Sequence, residues 1–203
     1  MPLEKAGKMK YEIKVLDPWQ RIMDKAAESQ DLTPTVITPA ILRKALMAEH
    51  SMTRAVRLEI KITGIKTWLA WHFRTHEVGN KHDPMMRTQL PYALNPVKYD
   101  RDAARQDVPV NYTMDVNCQS LLNMMKKRLC IAAGPEVNAI CIGIINKMRS
   151  MDDPFLTVLA YFCRPSCIWQ GNECHETFKG KLAPCGRFPV KKRFSQPEPW
   201  WTE

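Results

Sequence analysis

The stretch Val56-Arg57-Leu58-Glu59-Ile60-Lys61-Ile62 alternates apolar and charged side chains without a fault. A period of two puts the four apolar residues on one face and Arg57, Glu59 and Lys61 on the other, so the segment is a strand with one buried and one wet side. Gly64 is expected to break it. Beyond the glycine, Ile65, Trp68, Leu69 and His72 recur at helical spacing and predict a helix to about Thr75.

Upstream, Met9, Tyr11, Ile13 and Val15 alternate with Lys10, Glu12 and Lys14, a second strand. Asp17-Pro18 should open a helix, with Asp17 as N-cap, Pro18 at the first helical position and an inner stripe of Trp19, Ile22, Met23 and Ala26. Residues 33–39 form a loop, and Pro39 to Glu49 reads as a second helix. Downstream, His76 to Asp115 is long, polar and punctuated by Pro84, Pro91, Pro96 and Pro109, and a loop of that length is usually functional. Asp115 or Thr113 is expected to cap a helix through Leu121, Leu122, Met125 and Leu129. Gly134-Pro135 then starts another, with Val137, Ile140, Cys141, Ile144, Ile145 and Met148 inside. A cysteine-rich tail follows Asp153-Pro154. The class is α+β: a small, mostly antiparallel sheet packed with four or five helices, plus a Cys-rich C-terminal metal module. Two domains are expected, 1–155 and the basic tail 156–203.

The 203 residues can bury about two-thirds of their unfolded surface without disulfide staples. Hydrophobic content of 45% and charged content of 25% exclude a disordered or collagen-like chain. The longest apolar run, Ala139 to Ile145, is far short of the roughly 20 residues a membrane span needs, and the first residues lack a signal-peptide core. A cytoplasmic protein with no membrane partner is expected. The formal charge of +9 favours an anionic partner. Lys179, Lys181, Arg187, Lys191, Lys192 and Arg193 lie close together with no intervening acid, so the tail supplies most of the imbalance and is a candidate nucleic-acid contact.

Four of seven cysteines, Cys163, Cys167, Cys174 and Cys185, are separated by gaps of three, six and ten residues. Zinc takes four soft donors in a tetrahedron, and short glycine-containing loops (Gly171, Gly180, Gly186) let one chain surround it. Four thiolates leave no open coordination position, so the zinc would be structural. The competing reading is a set of small buried residues, and whether His175 replaces one cysteine stays open. A second constellation runs from Trp71 to Gln89, where three of the five histidines and two arginines fall in nineteen residues. Such donors at a helix end suit a phosphate or a carbonyl-rich ring. The competing reading is a solvated loop whose histidines favour the helix C-terminus.

The stretch Leu46-Met47-Ala48-Glu49-His50-Ser51, the strand Val56 to Ile62, Thr63-Gly64-Ile65 and the Arg/His-rich segment resemble the flavin-dependent thymidylate synthase family in order and approximate spacing. Lys127-Arg128-Leu129, Ala133 and Glu136 are similar to that family's later Arg-Leu helix, and the likeness covers roughly residues 9 to 150. The Arg128-Leu129-Cys130 helix and cysteine tail also look like phage-encoded relatives. By resemblance, Arg74 stands at the first arginine of the family's Arg-His-Arg-x-x-Ser signature, while Thr75-His76 replace its His-Arg and Gly79 its serine. Arg54 reverses the charge of a family glutamate. The resemblance implies cofactor contacts at Arg74, His76 and Asn80, with FAD as the cofactor. It implies pyrimidine deoxynucleotide contacts at His50, Arg87, Gln89 and Arg128, and a homotetramer with shared sites. Arg128 borders the buried helix stripe and needs either an acid such as Glu136 or a ligand phosphate. The expected function is binding, and modification or sensing, of a pyrimidine deoxynucleotide; if enzymatic, the protein is a flavin-dependent transferase. A non-enzymatic nucleic-acid-binding protein and a structural phage protein are the alternatives.

Overall fold

A computed structural model describes residues 9–76, 80–83, 109–169, 177–178 and 181–182, the strands at 80–83, 177–178 and 181–182 by their backbone alone. They form two compact units, one of Met1–Val36 with Met52–Ser120 and one of Ile37–Ser51 with Leu121–Glu203.

In the first unit, β1 (Lys10–Val15), β2 (Arg57–Lys66), β3 (Asn80–Asp83) and β4 (Pro109–Asn117) make an antiparallel sheet in the order β1-β2-β4-β3. Ile13, Ile60 and Met114 share one row across it, all buried. On the other face Lys61 pairs with Glu12 at 3.5 Å. Gly64 does not end β2. A β-bulge falls between Thr63 and Ile65, and Gly64 takes φ +81°, which glycine adopts without a Cβ clash. The extra residue shifts the phase, so Ile65 joins Leu58, Ile60 and Ile62 in the core instead of starting the helix stripe. The helix α3 begins two residues later and spans Thr67–Arg74.

The expected 76–115 loop also contains β3 and the central strand β4. Val110, Tyr112, Met114 and Val116 alternate inward, a strand pattern hidden by the proline-rich polar sequence before it. Thr113 and Asp115 are therefore strand residues, and neither stands at the start of the helix that follows. The turn into α4 (Cys118–Arg128) is held by Asn117, whose Oδ1 accepts from the Ser120 amide at 2.9 Å.

Asp17 is likewise no helix cap. Its carboxylate accepts from Arg57 Nε at 2.9 Å, from Nη2 at 3.3 Å and from the Arg57 amide at 3.1 Å. That grip on β2 satisfies the acid, and α1 (Arg21–Glu28) starts later, after a turn led by Pro18. Ile22 and Ala27 are its buried residues, whereas Trp19, Met23 and Ala26 are half-buried.

The second unit is helical, with a two-residue strand pair, β5 (Thr177–Phe178) and β6 (Lys181–Leu182). Helix α2 (Pro39–Met47) has Thr38 as N-cap and Pro39 inside it, and Thr38 Oγ1 accepts from the Ile41 amide at 3.3 Å. It stops before Glu49, whose φ of +49° turns the chain away. Helix α5 (Pro135–Arg149) opens at Gly134-Pro135 and buries all six expected inner-face residues. Asp153-Pro154 starts a further helix, α6 (Pro154–Phe162), with Asp153 accepting from the Phe155 and Leu156 amides. Residues 155 and 156, the expected boundary between domain and tail, lie inside this helix. A short α7 (Ser166–Trp169) follows. α6 packs on α2 and α5, and Leu156, Leu159, Ala160 and Phe162 are buried. The fold is α+β with a small antiparallel sheet, and seven α-helices occur among the described residues, more than the four or five expected. None of these helices is long and apolar enough to cross a membrane.

Candidate functional site

Helix α3 is short, and its composition sorts cleanly by face. Leu69 and Phe73, four apart, are buried; the Phe73 ring lies 6.4 Å from that of Tyr112 on β4. Trp68, Trp71 and His72 lie off that stripe. The Trp68 and His72 rings meet edge to face at 5.6 Å. Trp71 keeps 49% of its surface exposed, and the Arg74 guanidinium lies over its ring at 5.0 Å. The last turn is closed by local bonds: Thr75 Oγ1 donates to the His72 carbonyl at 2.9 Å and the His76 amide to the Phe73 carbonyl at 3.1 Å. A helix C-terminus attracts cations, which helps to place Arg74 and His72 there.

Electrostatically the end of α3 is tied to the core through Tyr112. Burial pushes its phenol well above the usual value, and the Arg74 charge pulls it partly back. Arg74 and His76 are thus brought to one end of α3, both half-buried. Asn80 begins β3 opposite Val116. What this end offers is an aromatic face, a guanidinium fork and imidazole groups, a set that can stack a planar ring and donate to phosphate or carbonyl oxygens. The sequence alone assigns no ligand role to Trp71 or Tyr112. Only the period-two run from Val110 to Val116 signalled that Tyr112 sits on a strand.

His50 and Arg128 belong to the second unit. His50 is exposed, its amide bonded to the Ala45 carbonyl at 2.9 Å. Arg128 ends α4 after Lys126 and Lys127 and is half-buried. Burial lowers its pKa, an effect the nearby Cys141 thiol opposes. The Arg128 and Cys130 carbonyls both accept from the buried amide Nδ2 of Asn138, at 2.7 and 2.9 Å. This clamp fixes the end of α4 against the start of α5. Arg87 and Gln89 lie outside the described residues.

Cys163 is the buried C-cap residue of α6, and Cys167 is half-buried in α7. Cys174, Cys185 and His175 lie outside the described residues, as does most of the basic run 179–193. Among the described residues no group of three or more His, Cys, Asp or Glu is placed to hold a metal. Compared with protein-family models and with curated proteins, the chain matches none.

Proposed function

We propose that this protein is a divergent relative of the flavin-dependent thymidylate synthases that binds a pyrimidine deoxynucleotide. One observation carries the reading: the Arg74 guanidinium lies over the Trp71 ring at 5.0 Å, at the helix end where the resemblance puts the signature arginine. The order of elements supports it too. A strand passes through a glycine bulge into α3, a strand follows, and α4 then ends in Lys126-Lys127-Arg128. In this reading Arg128 and Arg87 hold the nucleotide phosphate, with His50 and Gln89 among the substrate contacts. Arg74, His76 and Asn80 face a flavin.

The residues present fit a flavin at one point. An aromatic-backed guanidinium is a good donor to a phosphate or ring carbonyl, and a bound flavin would supply hydride transfer. The chain's own part is to hold the ring and the phosphates. The donor set of the tail also fits zinc. Cys163 and Cys167 are soft ligands separated by one short turn, and with Cys174 and Cys185 they would close a structural tetrahedral site.

Calorimetric titration of deoxyuridine monophosphate into wild type, Arg74→Ala and Arg128→Ala tests the site. Each charge-assisted contact contributes roughly 1.5–3 kcal/mol, so Arg128→Ala should weaken binding at least tenfold with the fold intact. A wild type that binds neither a pyrimidine nucleotide nor a flavin overturns the proposal. Steeply salt-dependent binding of single-stranded DNA in its place would favour the nucleic-acid reading, to which exposed Trp71 also lends a stacking surface. Metal analysis should find about one zinc per chain, lost in Cys167→Ser with destabilisation.

A further inference from the structure

The outer face of α3 departs from the usual pattern of a surface helix. With Leu69 and Phe73 turned into the core, the positions away from them should be polar. Trp68, Trp71 and His72 stand there instead, at spacings of three and four residues. Trp68 and His72 are half-buried, their rings meeting edge to face at 5.6 Å. Trp71 is the most exposed of the three, with 49% of its surface open even though the Arg74 guanidinium lies over its ring. An indole left in water keeps apolar area that a partner would bury.

Charge and geometry say what that partner carries. α3 has His72 and Arg74 in its last turn and no acid, in a chain of formal charge +9, so its complement is anionic. Among the described residues no acid pairs with Arg74. Its contact with the Trp71 ring steadies the guanidinium without consuming its N–H donors, which stay available to phosphate oxygens. An aromatic surface with a guanidinium beside it matches an unpaired nucleotide in a strand: the base stacks on the ring and the backbone phosphate meets the cation. In a duplex the bases are stacked on one another, so none is free to lie on Trp71.

We infer that the outer face of α3, with Trp71 beside Arg74 and Trp68 one turn before it, is a stacking platform for the unpaired bases of a single nucleic-acid strand. Trp71 receives a base and Arg74 the adjoining phosphate. Arg74 is also the proposed flavin contact, so the platform is tested through Trp71 and with a ligand that is neither a flavin nor a mononucleotide.

Fluorescence anisotropy of a labelled oligothymidylate titrated with the full chain tests it. Binding should weaken as salt rises, and Trp71→Ala should raise Kd about tenfold. Trp71→Phe keeps an aromatic ring and should recover most of that loss. Arg74→Gln should weaken binding and flatten its salt dependence. On a duplex of the same length Trp71→Ala should change nothing. If the alanine variant proves unstable, Trp71→Leu keeps apolar bulk without a ring, and its affinity should fall well below that of Trp71→Phe. No binding to the strand, wild-type affinity in Trp71→Ala, equal affinities for Trp71→Leu and Trp71→Phe, or an equal loss on strand and duplex would overturn the inference. So would self-association in place of strand binding that Trp71→Ala abolishes, because the face would then belong to a second copy. A wild type that binds neither deoxyuridine monophosphate nor flavin sinks the proposed function and leaves the platform standing.

Discussion

Removing the amide of Asn138 should destabilise the second unit out of proportion to the few atoms lost. Asn138 is 4% exposed on the first turn of α5, and its single Nδ2 serves two carbonyls, those of Arg128 and Cys130. Those carbonyls sit where α4 ends and the chain turns into a 3-10 segment, Ile131–Ala133. Helix C-terminal carbonyls lack intrahelical donors, so the side chain provides what the backbone cannot. A net worth of about 1–1.5 kcal/mol per bond, and more where a carbonyl is left shielded from water, gives about 2–3 kcal/mol for Asn138→Ala. At ~2–4 °C per kcal/mol for a chain of this size, the melting temperature should fall roughly 5–10 °C. Asn138→Asp should be worse at neutral pH, because a carboxylate only accepts and would face two carbonyl oxygens. Urea denaturation monitored by circular dichroism measures the stability. An Asn138→Ala protein within about 0.5 kcal/mol of wild type would refute the clamp.

Gly134→Ala meets open space, yet φ +92° with ψ +151° is a glycine-only backbone, so the substitution should cost about 1–3 kcal/mol through strain, read from the urea midpoint. Arg57 holds the Asp17 carboxyl below its ordinary value of 3.8 by hydrogen bonding. The stabilisation is therefore complete above about pH 4 and is lost as pH falls through the lower folded value. Melting curves of Asp17→Asn and wild type should converge in that acid window and stay apart at neutral pH. Burial pushes the Cys118 and Cys141 thiols up to about 12, so at pH 8 both should resist alkylation in the native protein and react once it is unfolded, as mass spectrometry would show. Sedimentation should give a tetramer; a single-chain mass at micromolar concentration would count against the proposed shared site.

Sequence alone determined those elements whose signal is local. Val56 to Ile62 had to be a strand because charge and apolarity alternate along it. Gly134-Pro135 had to open a helix because glycine supplies the unusual backbone before it and proline needs no amide donor there. The same logic, applied to Asp17-Pro18, failed because a carboxylate takes the strongest donor within reach. That donor, Arg57, is brought forty residues closer only by pairing β1 with β2. Gly64 reads as a break in one dimension, whereas in the sheet it is a bulge that lets β4 pair past it. β4 itself, lying centrally between β2 and β3, owes its place to partners on both sides, which no local pattern records. The candidate site divides the same way. Arg74 and His76 stand out by their spacing at a helix end. That the Phe73 ring of α3 meets Tyr112 of β4, and that the Arg74 charge reaches that phenol, follows from packing, because only the folded chain brings a helix and a strand so far apart in sequence together.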